Sequence, residues 1–195
     1  DATGREKKHN DNRKNSNDMG YFSLDIKKAK GTSDTTQSDH IERKIIPKNA
    51  DPTRTHLNRV LVEYPDGVHG RDEAIAHRLN TAGIRRKITH DQVRVVRVVL
   101  SGTHEDMMNI QEKGELDEWC SDSIQWLQAT FGKDNVVAAH LHMDEKTPHI
   151  HAAVVPIVTG ERRKAKKEQT DGKRKYRKKT NSVRLCADDL FNRQT

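Results

Sequence analysis

Four histidines alternate along two apolar stretches that flank a short charged loop: His140, His142, His149 and His151. Side chains two residues apart on a β-strand point to the same face of a sheet, so each pair of histidines faces one way. If the two stretches pair as a hairpin, up to four imidazoles converge. Neutral imidazole is a common ligand for divalent metals, and three such ligands leave positions open for water or a phosphate oxygen. We therefore predict a metal site formed by His142, His149 and His151.

Two further side chains lie close to this predicted site. Glu145, in the connecting loop, could be an additional ligand or a carboxylate that orients a ligand. His140 is one residue pair further from the loop, so we expect it to support or pack against the site. A single histidine on a strand is usually a hydrogen-bonded core or surface residue. Three at alternating positions across a hairpin favour a metal site instead.

The elements that must position these residues are predicted from side-chain periodicity. The sequence predicts strands over 21–26, 56–64, 93–100, 136–142 and 150–158. It predicts a loop over 31–38, a helical turn or an extended piece over 40–46, and helices over 72–79, after Thr103 and from Leu116 to Phe131. Strands outnumber the crossover helices that parallel pairing requires. We therefore predict an α+β fold, with a five-stranded, mainly antiparallel sheet flanked by helices.

Composition limits the class of protein. The 195 residues are 32% hydrophobic and 33% charged, with a mean hydropathy of −1.00, so one compact core with polar tails is expected. No apolar stretch approaches the roughly 20 residues that span a bilayer, so we predict no membrane insertion. Cys120 and Cys186 are too far apart for a paired thiolate site, which is typical of a reducing compartment such as the cytoplasm.

The positive charge is concentrated near the end of the chain. Residues 161–179 carry 11 Lys or Arg against 3 Asp or Glu, whereas the whole chain carries a net charge of +7. Such a segment is either a solvated linker or a contact for nucleic-acid phosphates, with Tyr176 able to stack on a base. We divide the chain into a disordered upstream extension or vector-derived residues (1–18), a core (19–160), a basic DNA-binding linker (161–182) and the start of a C-terminal helix (183–195).

Three motifs in series resemble one known family. The segment HLHMDEKTPHIHAAVVP (140–156) is similar to the histidine–hydrophobe–histidine signature of the HUH endonucleases, and specifically to that of the Mob/Pre (MOBV) plasmid mobilisation relaxases. The segments DHIER (39–43) and DPTRTHLN (51–58) resemble two earlier motifs of the same family, in the same order and at similar spacing. The resemblance extends from about residue 19 to residue 158.

The resemblance implies an enzyme that nicks one strand of an origin of transfer and remains attached to the 5′ phosphate. His142, His149 and His151 would hold Mn²⁺ or Mg²⁺, Glu145 would orient or polarise groups near the site, and His40 would attack phosphorus. A coupling protein or other transfer machinery would be a partner.

Supporting roles are assigned from chemistry and position. If residues 40–43 are helical, Arg43 could pair with a phosphate in a fork geometry and Glu42 could hold the His40 tautomer. Arg54 or His56 could contact the DNA backbone, and Asn58, in the same motif, could support the active-site strands. The basic linker offers five further DNA contacts: Lys173, Arg174, Lys175, Tyr176 and Arg177.

Other interpretations remain open from the sequence. A rolling-circle replication initiator or a transposase could share the fold and metal site and differ only in its DNA substrate. Alternatively, the histidines could hold a structural zinc in a non-catalytic DNA-binding module. Most relaxases use a tyrosine nucleophile, for which the candidates are Tyr21, Tyr64 and Tyr176, although none of them lies in the segment that resembles the nucleophile motif.

Overall fold

The computed structural model describes residues 22–160 and 182–191. Its strands are β1 (Phe22–Lys30), β2 (Arg59–Val60), β3 (Val93–Gly102), β4 (Val136–His142), β5 (His149–Val154), β6 (Ile157–Val158) and β7 (Arg184–Leu185). Its helices are α1 (Thr35–Ile41), α2 (Arg71–Thr81), α3 (His104–Glu112), α4 (Leu116–Phe131) and α5 (Ala187–Phe191), with short 3-10 helices at Pro52–Leu57 and Lys133–Asn135.

Five strands form one antiparallel sheet in the order β1-β3-β5-β4-β2, which confirms the predicted fold class. The valine-rich β3 pairs with β1 on one side and β5 on the other, so β5 lies at the centre of the sheet. β4 and β5 form the predicted hairpin, in which His142 pairs with His149 and His140 pairs with His151. β6 and β7 form a separate two-stranded ribbon.

Helices cover both faces of the sheet. On one face, Leu127 and Phe131 of α4 pack against Val96 and Val98 of β3 in the larger hydrophobic core. On the other face, Ile75 and Leu79 of α2 pack against a smaller core. α1 lies on this second side, because the carbonyl oxygen of its last residue, Ile41, contacts the His142 ring. The face that carries the histidines is therefore the face that α1 and α2 cover.

Two predicted strands were wrong in extent. Residues 56–64 were expected to form one strand, but Pro52–Leu57 is a 3-10 helix, and β2 contains only Arg59 and Val60. Pro52 at the first position and the Asp51 side chain, which accepts a hydrogen bond from the Thr53 N–H at 2.9 Å, favour the helical turn. The strand expected over 150–158 ends at Val154; after Pro156, Ile157 and Val158 pair with β7 instead.

Other boundaries moved by a few residues. β1 continues to Lys30, and α1 begins at Thr35, within the segment expected to be a loop. The predicted break between α3 and α4 is present at Gly114, whose φ of +75° suits glycine. Within residues 183–195, Leu185 forms part of β7, and Ala187 and Leu190 of α5 enter the cores on the sheet. The upstream segment 1–18 and nearly all of the basic linker 161–182 lie outside the described residues. None of the described helices has the length and apolar character needed to cross a bilayer.

Candidate metal centre and active site

The β4–β5 hairpin brings three imidazoles together at its loop end. One nitrogen from each of His142, His149 and His151 lies within 4.8 Å of the other two. The Nε2 atoms of His149 and His151 are 3.0 Å apart, and the three ring centroids are separated by 4.8 to 5.2 Å. The alternation of the histidines in the sequence produces this cluster because the register pairs β4 with β5 at these positions.

Backbone carbonyls orient two of the rings. Nε2 of His142 donates to the carbonyl oxygen of Ile41 at 2.9 Å, and Nδ1 of His149 donates to that of Thr147 at 2.9 Å. Each contact leaves the other ring nitrogen as the unprotonated one, which is the arrangement found for metal-bound histidine. Glu145 Oε1 is 3.8 Å from both His142 Nδ1 and His149 Nε2, so a carboxylate also faces the cluster.

Burial keeps the imidazoles of His142 and His151 neutral. Burial, followed by the nearby charge of Arg43, lowers the pKa of His142 to about 4. Burial and the neighbouring His149 and His142 rings lower the pKa of His151 still further. Only a neutral imidazole can give its electron pair to a metal, so His142 and His151 are in the form that binds a divalent cation at neutral pH.

We expect the metal-free protein to lose stability as the pH falls from about 6.5 to 4. Burial lowers the pKa of His140 and His142 to about 4, whereas unfolded histidine titrates near 6.5. Between these values the unfolded state binds more protons, so acid favours unfolding. Urea midpoints measured in EDTA at several pH values should show the fall, and a His140→Gln variant should show a shallower one. Equal slopes in the two proteins would contradict the assignment.

Arg43 connects α1 to the hairpin loop. Its backbone φ is +58°, directly after the residue that caps α1, and its side chain is 7% exposed. Nε and Nη2 donate to the two carboxylate oxygens of Asp144 at 2.8 and 2.7 Å, and Nη2 also donates to Glu145 at 2.8 Å. Nη1 donates to the carbonyl oxygen of His40 at 2.8 Å. In this structure Asp144 occupies the fork that was expected to pair with a phosphate, and the phosphate contact stays a prediction.

The Arg43 guanidinium also lies near the three-histidine cluster. Nη2 donates to the unprotonated Nδ1 of His142 at 3.1 Å. The guanidinium retains Asp144, Glu145 and the His40 carbonyl as acceptors, so a cation could replace it at this nitrogen.

Asp144 is the buried centre of the loop, and the sequence analysis missed it. Its Oδ2 also accepts from Asn58 Nδ2 at 2.8 Å and from Thr55 Oγ1 at 3.1 Å. Burial alone would raise the pKa of Asp144, but hydrogen bonds from Arg43, Asn58 and Thr55 hold it far below its usual value. The amide oxygen of Asn58 accepts from the N–H groups of Met143 and Asp144 at 2.7 and 3.2 Å. Asn58 thus supports the hairpin loop, and the motif at 51–58 was the signal that pointed to this contact.

His40 opens onto the same cleft as the three imidazoles. It lies in the last turn of α1 and is half-buried. The cleft has a volume of about 420 Å³, and its lining includes His40, Arg43, Glu145, His142, His149 and His151. Asn49, also at the cleft, donates to Glu145 Oε2 at 2.6 Å. The sequence analysis did not single out Asn49, since nothing in its local pattern marks it.

Glu42 turns away from His40, so the structure does not support the expectation that it holds the His40 tautomer. Its Oε1 accepts from the Arg71 N–H at 2.6 Å and from the Tyr64 hydroxyl at 3.4 Å. The Tyr64 hydroxyl is also 3.1 Å from Nε2 of His140, outside the three-histidine cluster. Burial, followed by the charge of Glu42, raises the pKa of Tyr64 well above its ordinary value, which makes this phenol a poor nucleophile.

The structure describes only some of the residues that are predicted to contact DNA. Arg54 is half-exposed and His56 exposed on the 3-10 helix that also carries Thr55. Tyr21 and the five basic-linker residues Lys173, Arg174, Lys175, Tyr176 and Arg177 lie outside the described residues.

Comparison with known proteins shows the family of the chain. The family model described as "Plasmid recombination enzyme" (Mob_Pre) matches residues 19–192. The chain belongs to this family. Among Mob_Pre relatives, plasmid recombination enzyme type 3 of Staphylococcus aureus is 31% identical over 154 residues, and the type 1 enzyme of the same species is 28% identical over 167 residues. These matches cover 76% and 81% of this chain but only 36% and 40% of the relatives.

A solved Mob_Pre structure shares the fold. The relaxase domain of MobM, in a Mn-bound crystal structure with plasmid pMV158 oriT DNA, superposes with a TM-score of 0.66 at 21% identity. That match covers 89% of this chain and 78% of the MobM chain. A second Mn-bound MobM complex has a TM-score of 0.61 at 23% identity over 76% of each chain. At this identity the likeness shows the Mob_Pre fold.

Proposed function

We propose that this chain is a relaxase domain that nicks one strand of a plasmid's origin of transfer and retains the 5′ end through His40. One observation carries the proposal: three imidazoles that can hold a metal and a separate histidine from α1 line a single cleft. Membership of the plasmid recombination enzyme family supports a plasmid substrate. The DNA-bound state of the MobM domain supports a role for this fold at an origin of transfer.

His142, His149 and His151 would hold the divalent cation, with Mn²⁺ or Mg²⁺ as the candidates. The manganese in the MobM structures makes Mn²⁺ the first choice to test. When bound, such an ion supplies positive charge beside the non-bridging oxygens of the scissile phosphate, where negative charge accumulates during attack.

His40 would act as the nucleophile. A neutral imidazole carries an available electron pair and needs no base to remove a proton first. Its nitrogen forms a P–N bond, the bond from phosphorus to the 3′ oxygen breaks, and that oxygen leaves with the electron pair and takes a proton from solvent. The phosphoramidate remains reactive, so the 3′ hydroxyl can later attack phosphorus and rejoin the strand.

Arg43 and Glu145 would position the reacting groups. Arg43 contacts the backbone carbonyl of His40 and the carboxylates of Asp144 and Glu145, and so links the nucleophile to the loop between the two ligand strands. Glu145 in turn contacts Asn49. A nucleophile held at the right distance and angle contributes strongly to rate, which is the benefit we assign to these contacts.

Flanking DNA would bind outside the cleft. Arg54 and His56 project from the 3-10 helix whose Thr55 reaches Asp144. The residues 173–177 would add largely sequence-independent, salt-sensitive contacts to the phosphates beside the nick. The protein would act in the cytoplasm, together with transfer machinery such as a coupling protein.

Two alternatives are less well supported. A replication initiator or transposase could use the same site, but the family match favours plasmid mobilisation. In a structural zinc module a fourth protein ligand would close the site, but the Glu145 oxygen that faces the histidines already accepts a hydrogen bond from Arg43 at 2.8 Å.

The test is a nicking assay on the full 195-residue chain. A labelled single strand carrying the origin of transfer from the plasmid that encodes the chain is incubated with Mn²⁺, Mg²⁺, Zn²⁺ or EDTA. We expect Mn²⁺ to give a product that migrates as a protein–DNA adduct, and EDTA to give none. Tight binding of Zn²⁺ without nicking under any condition would instead identify a structural zinc module.

A further inference from the structure

Helix α1, which carries His40, is too short to hold itself in place. It contains seven residues, and isolated helices of that length are unstable in water. Its position beside the three-histidine cluster must therefore come from contacts with the rest of the protein. One buried residue outside the sequence motifs supplies contacts along most of its length, through its side chain and its backbone N–H.

That residue is Arg71, the first residue of α2, which is 1% exposed. Its Nη1 donates to Asp34 Oδ2 at 2.6 Å and to Ser38 Oγ at 2.9 Å, and its backbone N–H donates to Glu42 Oε1 at 2.6 Å. Asp34 precedes α1, Ser38 lies in its middle and Glu42 caps its end. Arg71 thus contacts the beginning, middle and end of the helix.

These three contacts lie on one side of α1. Residues four apart fall on the same face of a helix, so Asp34, Ser38 and Glu42 form a single stripe. His40 is two residues beyond Ser38, about 200° further round the helix at about 100° per residue. The stripe on Arg71 therefore directs His40 to the opposite side, where it lines the cleft.

The neighbours of this contact tie it to the sheet. The carboxylate of Asp34 also pairs with the guanidinium of Arg97 on β3, and Arg97 is opposite Ala153 on β5. Asp72, next to Arg71, accepts from the Asp34 N–H and the Thr35 hydroxyl, both at 2.9 Å. Through Asp34 and Arg97, α1 is connected to β3, which pairs with β5, the strand that carries His149 and His151.

We propose that Arg71 is a positioning residue for the nicking reaction: it acts through α1 to hold His40 at its attacking position relative to the metal ligands. This inference rests on the proposed function. A displacement of about 1 Å can cost about 100-fold in rate. Loss of the Nη1 contacts of Arg71 should therefore slow nicking while metal and DNA still bind.

The variant is Arg71→Lys. It keeps the positive charge beside Asp34, and Asp34 retains Arg97, so no buried carboxylate loses all its cationic partners. The lysine ammonium ends one bond short of Nη1, the single nitrogen of Arg71 that donates to both Asp34 and Ser38. A second variant, Ser38→Ala, removes one neutral acceptor of the same guanidinium. The matched control is Arg78→Lys, on the same helix, where Arg78 contacts Asn135 at 3.0 Å instead of α1.

With the origin strand and Mn²⁺ both saturating, we expect Arg71→Lys to nick about 10- to 100-fold more slowly than wild type in a single turnover. Affinities for Mn²⁺ and for DNA should stay within about twofold. Ser38→Ala should show a smaller loss in the same direction, and Arg78→Lys should match wild type. A wild-type rate for Arg71→Lys, or a loss explained by weaker metal or DNA binding, would overturn the proposal.

Hydrogen exchange separates this inference from the proposed function. In Arg71→Lys without DNA, the amides of α1 should exchange faster than in wild type, with those of β4 and β5 unchanged. Unchanged α1 exchange would overturn the positioning role. If wild type itself does not nick, the proposed function fails, and the exchange of α1 alone then decides whether Arg71 positions the helix.

Discussion

Replacing His40 with alanine should abolish the covalent adduct, with a loss in nicking rate of at least about 1,000-fold. The imidazole is the group that forms the bond to phosphorus in our proposal, and its removal leaves the three metal ligands untouched because none of their described contacts involves the His40 side chain. Mn²⁺ affinity and origin binding should therefore remain close to wild type. The measurement is the fraction of labelled origin strand linked to protein at fixed times.

Two controls make this result specific to His40. His77, on α2, lines a different cleft, so His77→Ala should nick normally. Tyr64→Phe removes the one tyrosine hydroxyl among the described residues and should also retain the adduct. The adduct itself should break down in acid, because a P–N bond is acid-labile whereas a phosphotyrosine ester survives. An adduct that persists in His40→Ala, or that resists acid, would show that another residue is the nucleophile.

Replacing His149 with alanine should weaken Mn²⁺ binding by at least about 100-fold and remove nicking at micromolar Mn²⁺. His149 supplies an Nε2 that lies 3.0 Å from Nε2 of His151, and its other nitrogen is held by the Thr147 carbonyl. Its loss leaves two imidazoles to hold the ion. Calorimetric titration with Mn²⁺ gives the affinity, and the nicking assay repeated at millimolar Mn²⁺ shows whether excess metal restores activity.

A matched control distinguishes metal loss from unfolding. His90 is exposed, and its backbone carbonyl accepts from Gly31, so His90→Ala should bind Mn²⁺ like wild type. Wild-type protein should gain thermal stability from Mn²⁺, and His149→Ala should lose that gain while keeping its metal-free melting temperature within a few degrees. Normal Mn²⁺ affinity in His149→Ala would exclude this residue as a ligand.

The fold class and the ligand cluster could be predicted because both depend on local periodicity. Alternation of His142, His149 and His151 needs only the pleat of two strands and a short loop, so strand geometry alone places them together. The strand over 56–64 was predicted from its branched residues. It is shorter because Pro52 and the Asp51 cap start a 3-10 helix that extends to Leu57. Local turn chemistry determined that segment.

The surroundings of the site depend on contacts between distant segments, which no local pattern encodes. Arg43 contacts Asp144, about 100 residues further along the chain, and this pairing directs the Arg43 guanidinium to the hairpin loop. Glu42 likewise meets Arg71 and Tyr64 instead of its near neighbour His40. A positive φ at Arg43 turns the chain out of α1 at this point, and nothing in the identity of the residue indicates it.

The central place of β5 in the sheet has a consequence for how such a protein would release its product. Two of the three candidate ligands stand on a strand whose edges are both occupied, whereas the proposed attachment point for DNA stands on a seven-residue helix secured by side chains. Any swinging of the captured strand away from the ion would then be a movement of that helix, with the ligand cage stationary. The attached DNA end would move with α1, while β4 and β5 would keep the ligands in place until the end returns for resealing.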